Sequence, residues 1–285
     1  MFDSGGHVLG LSMSHLIADG ASMAMFLKHW SSISRGEAIN GSTLPNFRSA
    51  SFLFSPQPWS ASKVLERVQD EHHDDDDDDI AKVAIKRFVI DKEGIERLRV
   101  SKQGWRPTRV QAVLGLVWRC LRRAKLAGSH VSQVVNIRSK LMNMAPMPSD
   151  KDFGNLWVGA MVSTSDECER FEEEALREAV TRVDEVYVRN LIEGKKKEKK
   201  KEESSNYACW IFSSLCRMGF YESSDFGSGE AIWVACGSRD ARNVCLLIDA
   251  KDGEGVEVWV WLDVDDMEKL EKDTELLDFV SLVGK

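Results

Sequence analysis

The sequence predicts an α/β or α+β protein in which strands and helices build packed layers. Apolar runs typical of strands, such as residues 256–262, occur beside segments whose apolar residues follow a helical spacing, such as residues 109–121. The two kinds of segment do not alternate strictly, and this mixture is typical of a layered fold. With 285 residues, of which 43% are hydrophobic, the chain is long enough to bury one large core or two ordinary ones.

The predicted elements run along the whole chain. We expect strands at 7–13, 81–90, 132–137, 153–162, 231–236, 243–249 and 256–262, and helices at 21–34, 92–100, 109–121, 167–192 and 264–272. Asp19 and Gly20 signal the turn into the first helix. Pro107 is expected in the first turn of the helix over 109–121, where its missing N–H costs little.

The composition argues against several classes of protein. A net charge of -8 makes binding to nucleic acid or to an anionic membrane a poor candidate, because both need clustered Lys and Arg. The sequence has no run of about 18 apolar residues and no secretory leader, so we expect a cytoplasmic protein without a membrane span. Its six cysteines form no CxxC pair and no zinc spacing, which predicts reduced thiols and no metal site.

Two charged runs interrupt the predicted elements. Residues 71–79 contain two histidines and six consecutive aspartates, and residues 194–205 are mostly Lys and Glu. A metal site in the first run and a phosphate contact in the second are the alternatives to solvated segments. We favour solvated segments, because the first run lacks the Gly and Glu positions of a calcium loop and the second lacks aromatic residues.

His15 lies just after the first predicted strand and before the first helix, where a rigid support can aim its side chain into a cleft. A neutral imidazole can accept a proton near neutral pH, since the unperturbed pKa of histidine is about 6.5. Asp19 either orients the imidazole as a dyad or turns away and pairs with an arginine. Gly20 permits a positive φ or a close backbone approach. Taken alone, the pattern also fits a histidine that only fills a turn or a core.

Two strings far apart in the chain resemble the signatures of one enzyme family. Residues 14–20, SHLIADG, resemble the HxxxDG motif of the plant BAHD acyltransferases, and residues 221–229, YESSDFGSG, resemble their DFGWG motif. Further pieces resemble the family in the expected order, at 86–90, 107–113, 117–120, 135–138 and 153–156. The resemblance covers essentially the whole chain, and its nearest subgroup is the alkaloid and alcohol acetyltransferases similar to vinorine synthase.

The resemblance implies a chloramphenicol acetyltransferase-like fold of two domains, with a channel that coenzyme A and the acceptor enter from opposite faces. It implies acyl-CoA, expected to be acetyl-CoA, as the co-substrate, with no permanently bound cofactor and no metal. His15 would remove the proton of the acceptor as the acceptor attacks the thioester. The tetrahedral intermediate would then expel the thiolate of coenzyme A without a covalent acyl-enzyme.

The resemblance also assigns roles to single residues. Asp225 is grouped with His15 in the catalytic signatures, although it is expected to face away from the cleft and to pair with a cation, for which Arg217 is the nearest candidate. Asn136 and Arg138 are expected near coenzyme A. The residues expected to hold the two motifs in shape are Asp19, Gly20, Gly227 and Gly229.

The sequence departs from the family pattern in three ways. Ser228 stands where the second motif has tryptophan, and Glu230-Ala231 replaces Lys-Pro. His15 comes almost at the start, whereas family members carry a section the size of a small domain before the motif. We therefore expect a truncated form or an incomplete gene model with exposed core surface. The expected parts are a first-domain remnant at 1–45, a crossover loop with the acidic run at 46–80, and a second domain at 81–285, of which 225–240 return towards the first.

The expected function is acyl transfer by a monomer to a hydroxyl or amine of a small plant alkaloid or alcohol. One alternative is a catalytically inactive remnant that binds coenzyme A or a partner chain. Another is a relative of the condensation domains of peptide synthetases, which share the HxxxDG motif. Those domains have a second histidine just before the motif, where this chain has Ser14, and they lack DFGWG-like strings.

Overall fold

A mixed sheet of six strands forms the centre of the protein. The computed structural model describes residues 6–38, 44–50, 83–100, 104–127, 130–140, 151–163, 171–193, 210–237 and 241–280. In chain order the strands are β1 (Val83–Ile90), β2 (His130–Asn136), β3 (Trp157–Ser163), β4 (Trp210–Ser214), β5 (Val244–Asp249) and β6 (Val256–Asp263). Across the sheet their order is β1-β6-β5-β4-β2-β3.

Three neighbouring strands of this sheet run parallel to one another. β4 pairs in parallel with β2 on one side and with β5 on the other, whereas β1, β3 and β6 join through antiparallel pairs. Asn136, Ser214 and Asp249, the last residues of the parallel strands, therefore lie at one end of the sheet, which we call the carboxyl end. Loops that follow parallel strands meet at this end and commonly build ligand sites.

The α-helices of the described residues include one of 15 residues that shares the main core with the sheet. In chain order the helices of the described residues are α1 (Gly20–Ser34), α2 (Lys92–Leu98), α3 (Arg109–Arg123), α4 (Glu172–Arg182), α5 (Glu185–Ile192), α6 (Val264–Glu271) and α7 (Thr274–Leu277). α3 packs against α4. Its side chains Leu114, Trp118 and Leu121 are fully buried in the main core.

A capping box begins α3. Oγ1 of Thr108 accepts from the N–H of Gln111 at 3.2 Å, and Oε1 of Gln111 accepts from the N–H of Thr108 at 2.9 Å. These bonds satisfy amide groups that a helix start leaves without partners. Pro107 therefore lies before the cap, and the prediction that it lies in the first helical turn is wrong.

The two faces of β6 contact two different apolar clusters. Val258 and Val260 belong to the main core, whereas Trp259 and Trp261 belong to a smaller cluster on the opposite face, since alternate strand residues point to opposite faces. Glu257 shares the parity of the two tryptophans and is only 1% exposed. The face with the smaller cluster therefore carries a buried carboxylate.

Most of the predicted elements are confirmed. The helices predicted at 21–34, 92–100, 109–121 and 264–272 correspond to α1, α2, α3 and α6, and the strands predicted at 81–90, 132–137, 153–162, 243–249 and 256–262 correspond to β1, β2, β3, β5 and β6. β3 begins at Trp157 rather than at residue 153, because the N–H groups of Gly154 and Leu156 donate to the side chains of Ser22 and Asp19.

Other predicted elements are wrong. Residues 7–13 and 231–236 are irregular, because no strand among the described residues lies beside them to pair with their main chain. The single helix predicted over 167–192 is divided into α4 and α5, since the carboxylate of Asp184 accepts from the N–H of Tyr187 at 2.7 Å and caps a new helix. β4 was not predicted, because its five residues are too few to show an alternating pattern.

Several predictions fall on residues that the structure does not describe. They are the charged runs at 71–79 and 194–205 and most of the crossover loop at 46–80. No helix of the described ranges is both long and apolar enough to cross a membrane. Within the same ranges, no group of three or more His, Cys, Asp or Glu residues is arranged to hold a metal ion. The free thiols of the described residues are those of Cys120, Cys216, Cys236 and Cys245.

Candidate active site

His15 lies in a turn directly before α1. The main-chain oxygen of Ser14 accepts from the N–H of Ile17 at 3.1 Å, which closes the turn. The main-chain oxygen of His15 accepts from Nδ2 of Asn155 at 2.7 Å, just before β3. The backbone of His15 is therefore fixed both within its own turn and to the loop that leads into β3.

The imidazole of His15 is exposed and contacts the indole of Trp157, the first residue of β3. The two ring centroids lie 5.9 Å apart and the ring planes meet at 69°, an edge-to-face contact. Neither imidazole nitrogen has a hydrogen-bond partner among the residues that the structure describes. The ring is thus supported by its neighbour while both nitrogens stay available to a ligand.

The carboxylate of Asp19 is buried and holds the start of α1. Its Oδ1 accepts from the N–H of Ser22 at 2.9 Å, and its Oδ2 accepts from the N–H of Leu156 at 3.0 Å. Arg138 donates to both oxygens, at 2.8 and 2.9 Å. Of the two arrangements expected for Asp19, the structure has the pair with an arginine and not the dyad with His15.

The pKa of Asp19 predicts how the free energy of unfolding depends on pH. Burial alone would raise this pKa, but Arg138 and the N–H groups of Ser22 and Leu156 hold it below its ordinary value. Such a carboxylate stabilises the folded protein above the pKa of the unfolded state, and this contribution is lost as pH falls through the folded pKa. We therefore expect the free energy of unfolding to fall below about pH 4.

Urea unfolding of the wild type and of Asp19→Asn checks this expectation. The wild type should lose more stability than the variant between about pH 6 and about pH 3, because asparagine does not titrate. An identical pH dependence of the two proteins would show that Asp19 has the same pKa in the folded and unfolded states.

The guanidinium of Arg138 is buried and donates hydrogen bonds to other groups of the protein. Arg138 is 3% exposed, and besides Asp19 it donates to the main-chain oxygens of Asp152 and Gly154, at 2.9 and 3.0 Å. This geometry does not favour the expected contact of Arg138 with coenzyme A, which stays a prediction. Asn136 is exposed at the end of β2, and its Oδ1 accepts from the N–H of Arg138 at 3.0 Å. Contact between Asn136 and coenzyme A also stays a prediction.

Three residues for which no individual role was predicted join α1 and the turn before it to the loop before β3: Ser22, Gly154 and Asn155. Oγ of Ser22 donates to the main-chain oxygen of Gly154 at 3.0 Å and accepts from its N–H at 2.9 Å. Gly154 has a φ of 131°, and a Cβ there would lie 2.7 Å from Cβ of Ala50, so the position requires glycine. Partners 132 residues apart leave no local signal in the sequence.

Gly20 is the first residue of α1. A Cβ at this position would overlap the side chain of Leu215, directly after β4. Of the two properties expected of Gly20, the structure uses the close approach, since its φ is not positive.

The second signature lies in a loop over residues 221–234, which we call the second-signature loop. Oδ1 of Asp225 accepts from the N–H groups of Gly227 and Gly229, at 2.8 and 2.9 Å. Both glycines have positive φ, 103° and 98°, a conformation that side chains disfavour. The two hydrogen bonds lower the pKa of Asp225, which therefore shapes its own loop as a carboxylate.

The second-signature loop contacts the far end of α1. Nη1 of Arg35 donates to the main-chain oxygen of Asp225. The rings of Trp30 and Phe226 lie edge to face with centroids 4.9 Å apart. The cation beside Asp225 is thus Arg35, so the expectation of Arg217 is wrong: Arg217 lines a cleft at the ends of β4 and β5. The helix that follows His15 consequently connects the two signatures.

This cleft, of about 480 Å³, lies beside the start of α3. Arg109 pairs with Asp249, and Nε of Arg99 donates to the main-chain oxygen of Pro107 at 2.9 Å. Arg217 is exposed, and its guanidinium has no partner among the described residues. The residues that line the cleft are Arg99, Thr108, Arg109, Arg217, Glu222, Asp249 and Gly253. Three arginines against two carboxylates, together with the positive end of α3, make the cleft favourable for anions.

His15 and this cleft lie at the same end of the sheet. Asp249 ends β5, and Trp157, which contacts His15, begins β3; β4 and β2 lie between these two strands. Three strand spacings amount to about 14 Å. The arrangement therefore suits an extended ligand with an anionic group at one end and a reacting group at the other.

Known proteins are similar to this chain along almost its whole length. A family model described as the Transferase family matches residues 1–277. The chain is 32% identical over 307 residues to vinorine synthase of Rauvolfia serpentina, an alignment that covers 98% of this chain and 64% of that protein. It is also 32% identical to salutaridinol 7-O-acetyltransferase of Papaver somniferum, with 98% of this chain and 69% of that protein covered. The chain thus spans about two thirds of the length of these relatives.

Solved structures agree on the fold. The crystal structure of vinorine synthase superposes with a TM-score of 0.69 at 29% identity, over 94% of this chain and 61% of that one. F. graminearum TRI101 complexed with ethyl coenzyme A has a TM-score of 0.66 at 14% identity, over 94% and 65%. A condensation domain of the CDA synthetase shares the fold alone, with a TM-score of 0.51 at 13% identity. The expected chloramphenicol acetyltransferase-like α/β fold is confirmed.

Proposed function

Because this chain belongs to the transferase family that includes the plant BAHD acyltransferases, we propose that it transfers an acyl group from acyl-CoA to a hydroxyl or amine of a small plant metabolite. The proposed donor is acetyl-CoA and the proposed acceptor an alkaloid or an alcohol. Two relatives are named salutaridinol 7-O-acetyltransferase and stemmadenine O-acetyltransferase, and these names support acetyl transfer to oxygen.

In the proposed reaction His15 is the general base. One imidazole nitrogen takes the proton of the acceptor hydroxyl while the acceptor oxygen forms a bond to the thioester carbonyl carbon. The tetrahedral intermediate collapses, the carbon–sulfur bond breaks, and the thiolate leaves with coenzyme A. The imidazolium returns the proton to the thiolate, so that the products are an ester and free coenzyme A.

The observation that carries this proposal is the availability of the His15 imidazole at the same end of the sheet as the arginine-lined cleft. Asp19 is committed to Arg138 and to the start of α1, so proton transfer is assigned to His15 alone. The turn around His15 is fixed through its main chain, which leaves the ring nitrogens free for the acceptor. A fixed base without an internal partner suits proton abstraction from a bound hydroxyl.

The anionic groups of acyl-CoA are proposed to bind in the cleft. The phosphates would meet the guanidinium of Arg217 and the first N–H groups of α3, a helix of 15 residues whose start favours anions. An extended pantetheine arm would then bridge the roughly 14 Å between the end of β5 and the start of β3, which brings the thioester to His15.

Arg217→Gln is expected to raise the KM for acyl-CoA about tenfold and to leave kcat nearly unchanged, because it removes one charge-assisted contact to a phosphate far from the reacting bond. The exposed Arg189→Gln on α5 is the matched control and should leave both constants unchanged. Steady-state kinetics at low and high salt check this, since the wild type should lose more affinity with salt than Arg217→Gln. An equal KM for Arg217→Gln and the control would remove Arg217 from the proposed site.

Free thiol release tests the proposed function. Purified protein is incubated with acetyl-CoA and a mixture of alcohols and amines, and a blank of protein alone corrects for its own cysteines. The proposal predicts thiol release that depends on the acceptors and exceeds the spontaneous hydrolysis of the thioester. Release that is equal with and without acceptors would contradict acyl transfer.

A second candidate is a protein that binds acyl-CoA without turnover. The exposure of His15 favours it, because acyl transfer to an alcohol needs a site that excludes water around the base. Calorimetric binding of acetyl-CoA together with no acceptor-dependent thiol release would select this candidate over catalysis.

A further inference from the structure

The second-signature loop is anchored at both of its ends by one buried phenol. Tyr221 begins the loop and is 4% exposed. Its hydroxyl donates to Oε1 of Glu257 at 2.8 Å and accepts from the N–H of Val234 at 3.3 Å. The residues it joins lie 13 positions apart along the chain, so the hydroxyl closes the loop that carries Asp225.

The anchor beneath Tyr221 is a carboxylate with a full set of donors. Nε and Nη2 of Arg87 on β1 donate to the two oxygens of Glu257, at 2.7 and 2.9 Å. Nε1 of Trp259 adds a bond of 3.3 Å. Burial, and next the bond to Glu257, raise the pKa of Tyr221 to about 12, so the phenol keeps its proton and donates it.

Stability alone is a weak reason to bury this carboxylate. β1 and β6 already pair along their whole length, from Val83 opposite Asp263 to Ile90 opposite Val256. Replacing a buried ion pair by apolar residues is often neutral or stabilising, because the charges lose their hydration. A directional hydrogen bond differs from apolar packing in that it fixes the relative position of its donor and acceptor. The rings of Trp233 and Trp259, stacked with centroids 6.2 Å apart, hold the loop through apolar contact instead.

The fixed loop in turn contacts α1. Ser224 ties the two sides of the loop together, since its Oγ accepts from the N–H of Ala231 at 2.9 Å. Asp225 and Phe226 then meet Arg35 and Trp30 on α1. The first turn of α1 follows directly after the turn that contains His15. A displacement of the loop would therefore displace α1 as a rigid helix, and with it the imidazole of His15.

We infer that Tyr221 is a positioning residue, whose hydroxyl holds the second-signature loop against α1 and thereby sets the place of His15. We call the contact of Tyr221 with Glu257 and with the N–H of Val234 the Tyr221 latch. Its effect on catalysis rests on the proposed acyl transfer, whereas its effect on the loop and on α1 does not.

Tyr221→Phe tests the latch, because it removes the hydroxyl and keeps the ring. Tyr187→Phe on α5 is the matched control. We expect amide hydrogen exchange at Val234, Gly227 and Gly229 to become about tenfold faster in Tyr221→Phe, the effect of losing one hydrogen bond to a charged group. The NMR signals of the His15 imidazole should shift as well, although the hydroxyl does not touch that ring.

The kinetic expectation is a fall of about tenfold in kcat with the KM for acyl-CoA unchanged within about twofold, because a misplaced base slows the proton transfer and leaves the cleft intact. If the role of Tyr221 were purely structural, Tyr221→Phe would instead lower the fraction of folded protein. The apparent kcat would then fall, while the amide hydrogen exchange rates of the molecules that remain folded would not change. Circular dichroism of both variants measures that fraction.

Three results would overturn the inference. They are unchanged exchange at Val234 in Tyr221→Phe, unchanged His15 signals, or an unchanged kcat in a wild type that is active. A wild type that releases no thiol contradicts the proposed function alone, because the exchange rates and the His15 signals still decide whether the latch holds.

Discussion

Replacing His15 with alanine is expected to slow acceptor-dependent thiol release by about a hundredfold to ten-thousandfold, the usual contribution of a positioned general base. The imidazole is the proton acceptor proposed at this site, and Asp19 cannot replace it, because both oxygens of its carboxylate are bound to Arg138. The turn itself should survive the change, since its hydrogen bonds to Ser14 and Asn155 do not involve the side chain of residue 15. Steady-state thiol release from acetyl-CoA measures the effect.

His7→Ala is the control for this result. His7 lies exposed in the irregular segment before the turn, so it should keep the rate of the wild type. Binding of coenzyme A by His15→Ala should also match the wild type, since the proposed cleft for its phosphates lies at β4 and β5. A rate for His15→Ala within a few-fold of the His7→Ala rate would exclude His15 as the base.

Replacing Arg138 with methionine is expected to lower the free energy of unfolding by about 3–5 kcal/mol, because it leaves the carboxylate of Asp19 buried without its cation. The loss extends beyond the ion pair. The main-chain oxygens of Asp152 and Gly154 also lose their donor, and a buried acceptor without a partner is costly. Urea unfolding followed by circular dichroism measures the change.

Two comparisons show whether the loss of stability in Arg138→Met is caused by the burial of the pair of Asp19 and Arg138. Arg189→Met removes an exposed arginine that pairs with Glu185 at 2.6 Å and should cost about 0.5 kcal/mol or less. Asp19→Asn combined with Arg138→Met should be less destabilising than the sum of the single changes, since no buried charge is left alone. Additive effects, or equal losses for Arg138→Met and Arg189→Met, would contradict the account of this pair.

The elements that the sequence predicts well are those whose stability is local. α3 has a capping box and a strongly apolar face, and β6 has a long apolar run, so both are visible in the sequence. The segment at 7–13 has the same apolar character as β6 but is not a strand, because a strand also needs a partner for its main chain. At Asp184 a local feature was overlooked instead. The amphipathic pattern over 167–192 predicted one continuous helix, whereas Asp184 caps a second helix within it.

In the candidate site, too, the local features were predictable from the sequence and the long-range contacts were not. The two motifs name His15, Asp19 and Asp225, because their residue types and spacing are local features. The partners of these residues were not predictable: Arg138 was expected at coenzyme A and Arg217 at Asp225, whereas Asp19 pairs with Arg138 and Arg35 contacts Asp225. These contacts join residues more than a hundred positions apart, and the spacing of residues in one sequence contains no information on such pairs.

A single-turnover reaction of the wild type with equimolar acetyl-CoA and an accepted alcohol tests the central claim most directly. Mass spectrometry of the alcohol and of the intact protein follows the acetyl group over time. Direct transfer assisted by His15 predicts acetylated alcohol from the wild type, none above background from His15→Ala, and an unmodified protein mass throughout. Acetylated protein that forms and decays at the rate of product formation, or acetylated alcohol formed equally fast by His15→Ala, would contradict the account.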